Sequence, residues 1–160
     1  DIRTALTQLV GDHLWQQGQM QKPVLAAYLF ASPEHAAQVN AIIHPAVRRD
    51  FLRWADAHSR SPVVAIESAI LCESGFHTLV DSILLVDAPL EVRLQRAMLR
   101  DGACRQQVMA RMARQDSAQA RQLARFTVTN DGGNDQLLQA CLESIVTQLQ
   151  AEAGAMQDNK

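Results

Sequence analysis

Two short runs of uninterrupted apolar residues constrain the fold of this 160-residue chain more than any other feature. They occupy residues 63–66 and 83–86, and helical sequence follows each of them, over about 74–80 and 89–101. Strands without polar interruption are typical of parallel sheets, because helices cover both faces of such sheets. A third strand is predicted at 126–129. This alternation of strand and helix predicts an α/β fold with a parallel sheet.

The first sixty residues carry helical rather than strand periodicity. Helical stripes of apolar residues cover 2–10 and 24–29, and Ser32 and Pro33 are typical of an N-cap and a first helical residue. Because a residue before proline is disfavoured in the helical conformation, we expect His44 and Pro45 to end this third helix near Ile43. A separate amphipathic helix would follow. The remaining predicted helices cover about 104–115, 117–124 and 135–150, with a frayed tail from Gly154.

The arginines are concentrated in one part of a chain whose formal net charge is only −2. Residues 93–125 hold eight arginines and only two acidic residues, whereas acidic residues predominate elsewhere. The planar guanidinium binds phosphate oxygens in a bidentate manner, so this window indicates a phosphate-bearing ligand. A solvated helix surface is the alternative interpretation.

Three of these arginines share one edge of the helix predicted over 89–101. Arg93, Arg96 and Arg100 lie three and four residues apart, beside the apolar face that would pack on the sheet. The helix follows directly on the strand at 83–86. Since ligands of open α/β sheets bind at the carboxyl ends of the strands, these arginines are candidate ligand contacts.

Other residue types exclude several classes of protein. The three cysteines are far apart and lack zinc-site spacing, which is typical of reduced thiols and predicts a cytoplasmic location. The histidines share no metal-ligand spacing, so we predict no metal site formed by them. No apolar stretch is long enough to span a membrane, and the net charge argues against a nucleic-acid partner.

Five segments, taken in order, resemble the dephospho-coenzyme A kinase family. They are Ala-Ile-Ile-His-Pro at 41–45, the stretch 64–76, Val-Asp-Ala-Pro at 86–89 with Arg96 and the Arg-Asp pair at 100–101, residues 111–115, and Thr-Asn-Asp-Gly at 129–132. The resemblance implies a three-layer P-loop kinase-like fold with a parallel sheet. It also implies ATP-dependent phosphorylation of the ribose 3′-hydroxyl of dephospho-CoA, the last step of coenzyme A synthesis.

The resemblance further implies a division of the chain and a set of site residues. The helical substrate-binding part would be 1–60, the nucleotide-binding core 61–99 and 125–152, the helical lid 100–124, and the tail 153–160. The implied catalytic residues are Arg100 and Arg114, the nucleotide-binding residues are Arg111, Asn130, Asp131 and Gly132, and the substrate-binding residues are His44, Glu73 and Arg96. Arg96 could face either ATP or dephospho-CoA.

Each of these residues also has a structural interpretation. Residues 130–132 could form an ordinary turn, His44 could be a helix-terminal histidine tied to the backbone, and Glu73 could favour the positive start of a helix. Each lid arginine could be merely solvated.

One departure from the family concerns the phosphate-binding loop. None of the seven glycines opens a Gly-x-x-x-x-Gly-Lys-Ser/Thr motif, the element that cradles phosphates and holds Mg²⁺ in P-loop kinases. We therefore expect the first strand, the P-loop, the Mg²⁺ ligands and the catalytic base to precede Asp1, and the chain alone to be inactive. Two alternatives are another P-loop kinase acting on a nucleoside monophosphate-like molecule, and a non-catalytic module that binds phosphate ligands.

Overall fold

A computed structural model describes residues 1–113 and 117–157. They divide into two compact units, Asp1–Ser59 and the residues from Arg60 onward. The second unit contains a parallel sheet flanked by helices in the sequence, so the predicted α/β class is confirmed. No described helix is both long enough and apolar enough to cross a membrane.

The first unit is built around three helices. They are α1 (Ile2–Val10), α2 (Lys22–Ala31) and α3 (Pro33–Ala57). Both α1 and α2 pack against α3, and Leu6, Leu14 and Val39 form the buried centre. Burial of such side chains is the main term that stabilises a small helical unit. The predicted N-cap of α3 is confirmed, because the Ser32 side chain accepts a hydrogen bond from the His35 N–H at 3.1 Å.

A short hairpin between α1 and α2 was not predicted. It pairs β1 (Trp15–Gln16) with β2 (Gln19–Met20) in antiparallel register. The two turn residues, Gln17 and Gly18, have φ angles of 49° and 79°, the left-handed pair that two-residue hairpins require. Strands of two residues show no alternation of apolar and polar side chains, so the sequence pattern does not reveal them.

The predicted helix break at Pro45 is wrong. Helix α3 runs without interruption through His44 and Pro45 to Ala57. An internal proline removes one main-chain hydrogen bond and costs roughly 3 kcal/mol. Packing of Ile42 and Ile43 on the buried centre just before this point offsets that cost. His44 is consequently a half-buried residue within a helix, not a helix-terminal one.

The second unit alternates strands and helices. Its elements are β3 (Leu84–Asp87), α4 (Leu90–Asp101), α5 (Arg105–Met112), α6 (Ser117–Leu123), β4 (Phe126–Thr129) and α7 (Asp135–Gln157). Strands β3 and β4 are parallel, with Leu84 paired to Phe126 and Asp87 to Thr129. The predictions for β3, α4, α5, α6 and β4 are confirmed. Leu94 of α4 and Val128 of β4 are buried, and α7 packs against β4.

Three expectations for this unit need correction. Residues 63–66 do not form a strand in the described part of the chain, since a strand requires a neighbour whose backbone groups pair with its own. The helix expected over 74–80 is a short 3₁₀ turn, Phe76–Leu79. Helix α7 continues through Gly154 to Gln157, because an internal glycine costs only about 1 kcal/mol and Glu152 is bound by Arg125 at 2.5 Å.

Candidate phosphate-binding site

The site lies where β3 and β4 end side by side. Asp87 and Thr129, the last residues of the two strands, are paired in register. The N–H of the next residue, Asn130, donates to the Asp87 main-chain oxygen at 2.8 Å. The segment before α4 and the 130–133 loop therefore leave the sheet at one edge, the edge where α/β proteins bind ligands.

Arg96 of α4 fixes the 130–133 loop. Its Nη1 donates to the main-chain oxygen of Asn130 at 2.7 Å, and its Nη2 donates to the Asn130 Oδ1 at 3.3 Å. Within the loop, the Gly133 N–H donates to the Asp131 Oδ1 at 2.8 Å, and Gly132 has a φ of +85°. The predicted turn is thus present, and an arginine from another element holds it in place.

Arg100 and Arg111 converge on one carboxylate. Asp101 accepts from Arg100 Nε and Nη2 at 2.7 and 3.2 Å, and from Arg111 Nη2 at 2.7 Å. The hydrogen bond from Arg100, then that from Arg111, holds the pKa of Asp101 well below its usual range. The two arginine side chains remain 76% and 48% exposed. A carboxylate between them lets two cations sit close together at a surface that a phosphate group can reach.

Asp87 binds a third arginine of the same window. The Arg121 Nη1 lies 2.6 Å from the Asp87 Oδ2. Burial favours the neutral acid here, but hydrogen bonds from Arg121 and the Ala88 N–H, together with the charge of Arg93, lower the pKa of Asp87. Asp87 and Arg121 are not among the predicted site residues, although Asp87 lies in the 86–89 motif and Arg121 in the arginine-rich window.

The remaining predicted residues lie in different places. Glu73 is exposed in the turn that precedes Gly75, and His44 belongs to α3 of the first unit. Arg114 lies outside the described residues. Six of the predicted residues form two groups: Arg96 with Asn130, Asp131 and Gly132 of the 130–133 loop, and Arg100 with Arg111 on Asp101 at the end of α4.

The described residues do not supply a metal centre. Over 1–113 and 117–157, no group of three or more histidine, cysteine, aspartate or glutamate side chains could hold a metal ion. Of the carboxylates at the site, Asp87 and Asp101 are bound by arginine, and Asp131 accepts from the Gly133 N–H.

A parallel sheet with arginines and a fixed loop beside its carboxyl edge defines an α/β protein, with groups of the kind that phosphate ligands require. Comparison with known proteins gives the particular family, since the family model for dephospho-CoA kinase matches residues 3–136. The chain belongs to the dephospho-CoA kinase family, as its motifs predicted.

Individual relatives agree with this assignment. A dephospho-CoA kinase from Bacteroides fragilis is 46% identical over 132 residues, which cover 82% of this chain and 64% of the relative. A crystal structure of the protein TT1252 from Thermus thermophilus superimposes with a TM-score of 0.73 at 31% identity, covering 92% of this chain and 76% of that one. A dephospho-CoA kinase structure from Campylobacter jejuni has a TM-score of 0.62 at 20% identity, covers 92% of this chain and 75% of that one, and shows the same fold.

These comparisons confirm the predicted P-loop kinase-like fold. The chain spans 64% of the length of the Bacteroides fragilis relative.

Proposed function

We propose that the protein transfers the γ-phosphoryl group of ATP to the ribose 3′-hydroxyl of dephospho-CoA. Membership of the family supports the reaction. The single observation that carries the proposal is the placement of two arginines on α4. Arg96 binds the 130–133 loop, and Arg100 binds the Asp101 carboxylate, which Arg111 also binds. Arg96 and Arg100 lie one helical turn apart, so an adenine at the loop and phosphates at the arginines fit one nucleotide.

The proposed roles follow from the chemistry of phosphoryl transfer. The 3′-oxygen attacks the γ-phosphorus, ADP leaves, and the hydroxyl proton passes to a base; the charge spreads over the transferred oxygens. Arg100 and Arg111 would neutralise that charge in the transition state. Asn130, Asp131 and Gly132 would contact the adenine. Together, these roles would assign the grouped arginines and the loop to one reaction, phosphoryl transfer from ATP.

The acceptor would be bound by other residues. We assign His44 and Glu73 to dephospho-CoA, because an imidazole and a carboxylate can both hydrogen-bond its polar groups. The contacts of Arg96 favour a role in holding the nucleotide loop over direct contact with the acceptor. Mg²⁺ would enter with ATP as the counter-ion of its phosphates.

A substrate panel tests the proposed function. The protein expressed from its complete gene is incubated with ATP and with dephospho-CoA, AMP or CMP, and ADP formation is followed. We expect ADP and coenzyme A with dephospho-CoA, and a rate at least a hundredfold lower with either monophosphate. Preference for a nucleoside monophosphate would assign the protein to the alternative kinase class, and nucleotide binding without any turnover would indicate a non-catalytic module.

Replacing Gly132 by alanine is expected to raise the KM for ATP severalfold. An added Cβ would lie 3.2 Å from the Arg96 Nη2, so the alanine would displace the group that holds the loop. The φ of +85° also disfavours alanine by about 1–2 kcal/mol of stability. Steady-state kinetics and thermal melting measure the two effects.

Gly102→Ala is the matched control for this prediction. Gly102 also has a positive φ, +61°, but its added Cβ would meet nothing within 4 Å. Both variants should therefore lose a similar amount of stability, and only the Gly132 variant should lose affinity for ATP. Equal KM values for ATP in the two variants would show that the close approach of Arg96 to Gly132 has no role in nucleotide binding.

A further inference from the structure

Asp87 is bound from two sides at the carboxyl end of β3. Its main-chain oxygen accepts from the Asn130 N–H at 2.8 Å, and its side-chain Oδ2 lies 2.6 Å from the Arg121 Nη1. Asn130 opens the proposed nucleotide loop, whereas Arg121 belongs to α6, which lies within the lid over 100–124 that the family resemblance implies. One residue therefore contacts both the loop and the lid.

The ion pair between Asp87 and Arg121 is partly shielded from water. The side chains are 22% and 46% exposed, so salt and water screen the pair less than a fully exposed one. Arg93 of α4 adds a second positive charge near the same carboxylate. Without the carboxylate, Arg93 and Arg121 would repel each other. The Asp87 carboxylate therefore attracts arginines of two helices, Arg93 of α4 and Arg121 of α6.

We propose that Asp87 is a positioning residue that holds α6 of the lid beside the nucleotide loop. The proposal rests on the proposed function, because that function gives the loop and the arginines of the lid segment their roles. Loss of the charge would release α6, while the loop would remain held by its own main chain and by Arg96. Lid arginines act on the transition state. Asp87→Asn should therefore lower kcat and leave the KM for ATP nearly unchanged.

Limited trypsin digestion of the protein from its complete gene tests the structural half of this proposal. A charge-assisted hydrogen bond corresponds to about a tenfold change in an opening equilibrium, and proteolysis of a transiently opened segment follows that equilibrium. We expect Asp87→Asn to accelerate cleavage after Arg111 and Arg125 about tenfold. Cleavage after Arg53, in α3, should keep the parent rate.

Two further variants make the digestion decisive. Arg121→Gln removes the other partner without altering the end of β3, and it should accelerate cleavage at the same two bonds to a similar extent. Glu152→Gln breaks the comparable pair with Arg125 outside the lid, and cleavage after Arg111 should not change. Parent-like cleavage at the same two bonds in either Asp87→Asn or Arg121→Gln would overturn the proposal, so that an unstable variant leaves the other to decide.

Kinetics test the functional half. Asp87→Asn and Arg121→Gln should each lower kcat about tenfold with the KM for ATP within twofold of the parent. The double variant should be no slower than the slower single variant, because both changes remove the same interaction. Additive losses would overturn the proposal. An inactive parent would count against the proposed function instead, and the digestion result would still decide whether Asp87 holds α6.

Discussion

Replacing Arg96 by alanine is expected to raise the KM for ATP about tenfold while kcat changes less than threefold. The Arg96 guanidinium makes two hydrogen bonds to Asn130, at 2.7 and 3.3 Å. A hydrogen bond to a charged group contributes about 1.5–3 kcal/mol, and 1.4 kcal/mol corresponds to a factor of ten in binding. The effect falls on KM because the loop would contact the adenine equally before and during the reaction.

Arg125→Ala is the control for this variant. Arg125 also bridges two elements, with bonds of 2.8 and 2.5 Å to Glu152, but it precedes β4 whereas Asn130 follows it. Four strand residues separate the two ends by roughly 13 Å. Steady-state kinetics with varied ATP should show a normal KM for Arg125→Ala. Equal effects of the two variants, or a normal KM for Arg96→Ala, would contradict the assignment of the loop to the nucleotide.

Replacing Arg111 by alanine is expected to lower kcat about a hundredfold with little change in the KM for ATP. Removal of one group that stabilises transition-state charge typically costs 10²–10³ in rate. Asp101 holds Arg111 beside Arg100, so the pair would meet the transferred phosphoryl group as a unit. Single-turnover measurements at saturating ATP separate this effect from product release.

Arg105→Ala gives the matched comparison, because it removes the same charge from the same helix. Arg105 binds Glu91 through two hydrogen bonds of 2.7 Å and is not assigned to the ligand. Its kcat should stay within threefold of the parent. If Arg105→Ala and Arg111→Ala were equally slow, the effect would be one of overall lid charge, and the specific role of Arg111 would be wrong.

Elements with strong local signals could be predicted from the sequence. The apolar run at 83–86 and the periodic segment after it predicted β3 and α4, and both are present. The run at 63–66 has the same local character but no strand partner among the described residues. Strand pairing depends on segments distant in the chain, so local pattern alone does not establish it. Pro45 shows the converse case. Its local preference is to end a helix, but the packing of α3 overrides that preference.

The sequence predicted candidate residues for the site but not the contacts between them. The arginine window and its helical spacing pointed to Arg96 and Arg100, and the resemblance added Arg111 and Asn130. The bond between Arg96 and Asn130 spans 34 residues, and no periodicity records such a pairing. The same holds for Asp87, whose partner Arg121 comes from another helix. Which charged residues pair between two elements depends on how the fold places those elements. Such ion pairs therefore cannot be predicted from the sequence pattern alone.

A crystal structure of the protein from its complete gene, bound to a non-hydrolysable ATP analogue, tests the central claim most directly. We expect the adenine within hydrogen-bonding distance, about 3 Å, of the 130–133 loop, and phosphate oxygens at the same distance from Arg100 or Arg111. A nucleotide bound elsewhere, with Arg96 still on Asn130 and both lid arginines still on Asp101, would contradict the claim that this edge of the sheet is the ATP site.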